Sequence, residues 1–225
     1  MVNYYKMPLS DRTIFLYIRY MKKFPDIIPV FPLNGVVYFP KTNLPLNIFE
    51  QRYLNLVNDA YNNNKLMGMV QSKKEDDSVY KIGCLGEISD YQQIKDGRIL
   101  INLTGVTRFQ ILEEVFNKKL YREFKVDYKN FTKDTDNELV NMKTSTLINK
   151  AQTFFKRNGL LLNWKEFEKL DHTQQINTIA MIAPITNEEK QKILESLSFD
   201  NKVQSLENII NFYLFETNFN SNTIQ

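Results

Sequence analysis

Cysteine is nearly missing from this 225-residue chain: Cys84 stands alone, so neither an intrachain disulfide nor a thiolate cluster can form. That fits a reducing compartment, and a cytoplasmic location is the expectation. Histidine is as scarce. His172 is the single imidazole, and one imidazole with one distant thiol lacks the closely spaced ligands of a metal site, so no metal or other cofactor is expected. Glycine occurs seven times and is nowhere followed by lysine, which excludes the Gly-x-x-x-x-Gly-Lys-Ser/Thr loop that cradles nucleotide phosphates. No apolar run approaches the ~20 residues that span a bilayer. The stretch Ile14-Phe15-Leu16-Tyr17-Ile18 is cut off by Arg19 and lacks a small-residue cleavage site, so neither a membrane span nor a signal peptide is expected. A one-sided charge is lacking too. With 29 basic and 26 acidic residues the net charge is +3, spread along the chain with no basic run, and nucleic acid is an unfavoured partner.

What remains is an ordinary globular composition, 43% hydrophobic and 24% charged, enough for a packed core. Three regions separate by pattern. Residues 1 to 25 show no clear period. Residues 26 to 130 hold six of the seven glycines and four of the seven prolines among short strand-like runs, which points to a β-domain. From 131 to 216 a helical period takes over, and the polar residues 217 to 225 are expected to fray.

Within the middle region, Ile27 to Phe31 and Val36 to Phe39 are apolar runs punctuated by prolines, which belong at strand starts or edges. Leu44 to Phe49 alternates and leads into a helix whose Tyr53, Leu56, Val57, Ala60 and Tyr61 form one apolar stripe, ended by Asn62-Asn63-Asn64. Strands are expected at Leu66 to Val70, Cys84 to Ile94, Arg98 to Leu103, Thr107 to Val115 and Tyr121 to Tyr128. Asp96-Gly97 signals a type I′ hairpin. Strands this short and numerous, with one helix, close best into a small barrel, because an open sheet would leave edges exposed. In the last third, Asp171 with Gln174 and Thr186 with Glu189 have the capping-box spacing. Ile176, Ile179, Ala180 and Ala183 make one buried stripe, and Phe199, Val203, Leu206, Ile210, Tyr213 and Leu214 another.

These strings, in this order, resemble the N-terminal substrate-recognition domain of Lon-type ATP-dependent proteases. The resemblance is carried by Ile28-Pro29-Val30-Phe31-Pro32-Leu33, by Val36 to Pro40, by Leu44 to Tyr53, by Met67 to Gln71, by Ile82 to Ile88, by Asp96 to Gly105, by Thr107-Arg108-Phe109, by Tyr121-Arg122 and by Glu189 to Glu195. It implies an α+β fold, a PUA-like small β-barrel with one or two helices followed by a C-terminal helical bundle. It implies non-catalytic recognition of unfolded or damaged polypeptide, with a full-length protease as a further candidate partner. The family's ATPase and its Ser–Lys peptidase segment have no counterpart here, so the chain is not expected to be an enzyme. An RNA-binding PUA-like module and a small-ligand sensor are the alternatives. Residues 1 to 20 precede the resemblance, and Met21-Lys22-Lys23 makes a natural translation start, so the upstream segment is read as an extension of uncertain authenticity.

Candidate chemistry is sparse. His172 follows Asp171 at a helix start and reads as a solvated first-turn residue; Cys84 reads as a small buried hydrophobe. Asp76-Asp77 falls in a polar loop. Glu113-Glu114 alternates on a strand, so its members face opposite ways and cannot act as a pair. Trp164 reads as packing between bundle and barrel. Glu50, Arg52, Tyr53, Arg98 and Arg108 are the polypeptide-binding candidates. Their arginines either form structural ion pairs that pin helix to barrel or line the rim of a peptide groove.

Overall fold

The computed structural model describes residues 24–73, 78–135 and 144–221, with side chains to residue 215 in the last helix. Asp76-Asp77 and Met21 with everything before it lie outside the described residues. The element order is β1 (Ile27–Leu33), β2 (Asn43–Ile48), α1 (Gln51–Asn62), β3 (Leu66–Gln71), β4 (Ile82–Gln93), β5 (Ile99–Val115) and β6 (Arg122–Asp127), then a 3-10 stretch (Lys129–Thr135). The helices α2 (Ser145–Arg157), α3 (Trp164–Phe167), α4 (His172–Ile182), α5 (Asn187–Glu195) and α6 (Phe199–Ser221) complete it.

The sheet runs β2-β5-β4-β3-β1-β6, and β6 returns to pair with β5, so β5, β4, β3, β1 and β6 close into a barrel with β2 outside. Only β1 and β3 are parallel. Closure depends on the length of β5: residues 99–104 pair with β2 and residues 110–115 with β6. The sequence pattern divides this strand at Thr104-Gly105-Val106, yet it is one strand of 17 residues. The interruption is a bulge, with Leu85 opposite Thr107 but Gly86 opposite Gly105, and it bends the strand without ending it.

Gly105 is required there. Its carbonyl accepts from the Lys41 amide and its amide donates to the Thr42 carbonyl, and a Cβ would lie 2.3 Å from the Phe39 carbonyl oxygen. This clasp holds the 34–42 loop against the barrel. Val36 to Phe39 is accordingly no strand: Val37, Tyr38 and Phe39 are buried loop residues. The β1 prolines keep their expected edge character in another way. Pro29 lies in the stretch paired with β6 and Pro32 in the stretch paired with β3, so each has a side free of ladder bonds.

Two turns differ from expectation. Between β4 and β5 only Gly97 has positive φ (+92°), the Gly97 amide donates to the Ile94 carbonyl, and the Ile94 amide donates to the Arg98 carbonyl. The loop is thus the three-residue kind with one left-handed residue, not type I′. After α1 the left-handed position falls on Lys65 (φ 61°), one residue past the asparagines, because its amide donates back to Ala60 at 2.8 Å.

Three cores result. Ile28, Val30, Leu85, Phe109, Phe124 and Val126 fill the barrel. Tyr53, Leu56, Val57 and Ala60 of α1 cover the β2–β5–β4 end with Ile88, Ile99, Ile101 and Leu103. The helical core collects Phe154, Phe155, Ile176, Ile179, Ile193, Leu206 and Ile210, and it takes in Val37 and Phe39 from the barrel's loop. Both capping boxes form: Asp171 with Gln174, and Thr186 with Glu189. Helix α6 continues to Ser221, past the expected fraying point, since neither glycine nor proline interrupts Phe199 to Ser221.

Candidate functional site

The start of α1 gathers three of the five candidates. Glu50 is the residue before the helix; its carboxylate accepts from Arg52 Nε at 3.0 Å and Nη2 at 2.9 Å. The Arg52 guanidinium lies 4.5 Å over the Tyr53 ring, and Tyr53 meets Phe31 of β1 edge-on at 4.0 Å. Arg52 and Glu50 remain about half exposed while Tyr53 is buried. Burial raises the Tyr53 hydroxyl above its ordinary pKa, against the lowering effects of Arg52 and Arg122 and with a smaller raising effect from Glu50. The ring is therefore a neutral, packed wall, with a guanidinium lying across it.

Sequence reasoning missed Arg122 and Glu114 as neighbours of this wall. Arg122 Nε and Nη2 both donate to Glu114 at 2.7 Å, and its guanidinium lies 4.9 Å over Phe124. That bidentate bond holds Glu114 below the usual carboxylate range. Glu113 faces the other way and pairs with Lys125 at 3.2 Å, so Glu113-Glu114 is not a catalytic pair. The only available signal was strand alternation, which separates the two glutamates but names no partner across the sheet. The β5–β6 loop reaches the same helix: Tyr121 donates to Asp59 at 2.6 Å, and burial together with that bond pushes its pKa up to about 12. Large apolar side chains stand in water just before α1 and in the β5–β6 loop, with Phe49 67% exposed, Phe116 91% and Leu120 62%.

Arg98 and Arg108 lie elsewhere. Arg98 forms a local pair with Asp96 (2.7 Å) at the β4–β5 turn, both partners about half exposed. Arg108 is buried. Its Nε and Nη2 bind the two Asp134 carboxylate oxygens at 2.9 and 2.8 Å, and its Nη1 donates to the carbonyls of Leu194 (2.7 Å) and Ser196. It stacks 4.4 Å over Phe131. This arginine fastens the barrel to the end of α5, the structural role.

The remaining polar candidates have plain placements. Cys84 is fully buried, and burial pushes its thiol pKa well up. His172 is exposed and its Nδ1 lies 3.0 Å from Thr144 Oγ1, which ties the starts of α4 and α2. Trp164 packs on Phe155 and Phe167 inside the helical region and not between bundle and barrel. Among the described residues no three His, Cys, Asp or Glu side chains gather as a metal site. Among them also, no helix is long and apolar enough to cross a membrane.

This fold, a barrel followed by a helical region, is shared with solved Lon N-terminal domains. The Lon N-terminal domain protein of Xanthomonas campestris superposes with a TM-score of 0.58 at 18% identity, covering 82% of this chain and 97% of that one. The N-terminal domain of the Mycobacterium avium complex Lon protease gives 0.58 at 13% identity, covering 82% and 98%. The family model of the ATP-dependent protease La (LON) substrate-binding domain matches residues 27–211, and the chain belongs to that family. The Lon protease of Syntrophus aciditrophicus is 26% identical over 208 residues, covering 85% of this chain and 26% of that protein. That of Endomicrobium trichonymphae is 25% identical over 199 residues, covering 85% and 25%. The chain thus spans about a quarter of the length of these Lon proteases.

Proposed function

We propose that the chain recognises non-native polypeptide and works as a non-catalytic module of Lon-type quality control, alongside a full-length protease. The observation that supports this best is the apolar surface left in water just before α1 and in the β5–β6 loop, where Phe49, Phe116 and Leu120 stand 67%, 91% and 62% exposed. A folded partner hides such side chains, whereas an unfolded one offers apolar segments to cover them. Three charge pairs nearby are engaged with each other: Glu50 with Arg52, Glu114 with Arg122, and Glu123 with Lys119. Binding should therefore rest on buried apolar area and depend little on salt.

The test is fluorescence anisotropy of a labelled, permanently unfolded protein titrated with the chain at low and high salt. Saturable binding at both salts, absent for a labelled, natively folded control protein, is expected. Phe116→Ser should weaken it several-fold with unchanged thermal stability, since the side chain touches little of the fold. Failure to bind at either salt overturns the reading. Binding of RNA with a steep salt dependence in its place would assign the surface to nucleic acid.

A further inference from the structure

The seam between barrel and helices holds a buried amine. Lys202, in the first turns of α6, is 3% exposed. Among the described residues its Nζ has one hydrogen-bond acceptor, Asn177 Oδ1 of α4 at 2.8 Å, and Asn177 Nδ2 in turn donates to the Pro40 carbonyl at 2.8 Å. Asn177 is 1% exposed, and Nζ lies 5.9 Å above the fully buried Phe39 ring. One amine thus joins α6, α4 and the 34–42 loop that the Gly105 clasp holds to the barrel.

We infer that Lys202 is a proton-controlled latch: its neutral amine closes the barrel–helix seam, and opening of the seam takes up a proton.

The surroundings set the direction. An ammonium carries three donors, and one acceptor faces it here, so protonation in place leaves donors unmet in a dry site. From β5 the Arg108 guanidinium repels it. From the 3-10 stretch Asp134 attracts it, but that carboxylate is held by Arg108 through both oxygens. From β4 the Cys84 thiol faces it, with burial holding its proton on. The loop presents the Phe39 ring and α4 presents Asn177. Burial first, then Arg108, lowers the Lys202 pKa to about 7, with Asp134 acting the other way.

The sign follows from proton counting. Once the seam opens, Lys202 returns to water and its ordinary pKa near 10.5. Between about 7 and 10.5 the open form binds a proton that the closed form does not, so lowering pH favours opening. The open population falls by up to about tenfold for each unit that pH rises in this window. Below 7 both forms are protonated and the dependence stops. The sensitive range therefore begins at neutrality and extends upward.

Amide hydrogen exchange on the intact chain at pH 7, 8 and 9, corrected for intrinsic rates, tests this. In the wild type, protection of α4, the first half of α6 and the 34–42 loop should rise about fivefold from pH 7 to 8 and about ninefold from pH 8 to 9. Lys202→Met should flatten that response. An equal response in Lys202→Met overturns the latch, as does a wild-type protection that stays constant with pH in these segments. A direct titration covers the case in which the variant does not fold. The assigned Lys202 ε-carbon resonance in wild-type protein should move with a midpoint near 7, and a midpoint near 10 overturns the proposal.

Discussion

Three arginines of the same type occupy three different environments, and exposure decides what each is worth. Arg98 and Asp96 are neighbours at a solvated turn, where water screens the pair. Arg108 and Asp134 are 5% and 8% exposed at the side chain, and two helix-end carbonyls depend on the same guanidinium. Arg108→Ala leaves the buried Asp134 carboxylate with only the backbone amide of residue 108 and takes the side-chain donor from the Leu194 and Ser196 carbonyls, and should cost about 3–5 kcal/mol of unfolding free energy in urea titration. Arg98→Ala should leave the urea midpoint where it was. A small effect at Arg108 would show that water enters the seam and takes over those bonds. Arg52 stands between the extremes, half exposed but laid on Tyr53, so its removal should change the surface more than the fold.

At the scale of elements, what was legible in the sequence was local. Both capping boxes sit at a fixed three-residue spacing, and the α1 stripe and the α4 and α6 stripes follow one helical period, so chain order alone displays them. Thr186 accepts from the Glu189 amide while Glu189 returns a carboxylate to the Thr186 amide at 2.8 Å. Thr186→Ala should therefore cost about 1 kcal/mol, read as a lowered thermal midpoint, with Thr186→Ser recovering most of it. The misread elements are those decided by distant partners. The 34–42 loop has the composition of a strand, but its ladder positions are taken up by Gly105, more than sixty residues on, and its side chains enter two cores. Strand β5 carries a Thr-Gly-Val sequence that reads as a break, and only the pairing with β4 turns it into a bulge. The candidate site divides the same way. Glu50, Arg52 and Tyr53 could be grouped from the sequence because they fall within four positions at one helix start. Arg108 could not be separated from them, because Asp134 lies 26 positions away and the Leu194 carbonyl 86.

At the scale of the whole molecule, the barrel and the helices are bound more closely than their separate sequence patterns imply. Val37 and Phe39 come from the barrel's loop yet belong to the helical core, and Met181 of α4 packs against the core beneath α1. Polar bonds cross the same seam: Gln191 Nε2 donates to the Ile82 carbonyl at 3.0 Å, Asn177 to Pro40, and Arg108 to Leu194. Removing the helices would expose Phe39 and Val37 and leave Arg108 with Asp134 at a wet surface. Neither half then keeps a complete core, so the two should unfold together. Trp164 makes this measurable, since it is the single tryptophan and packs among Phe155 and Phe167 in the helical part alone. Its fluorescence in urea should trace the same midpoint and slope as protection of the β3 and β4 amides, which report the barrel alone. Separate midpoints would mean that the seam is a contact between two independent domains. In that case the Lys202 latch would govern their docking without affecting the stability of either half.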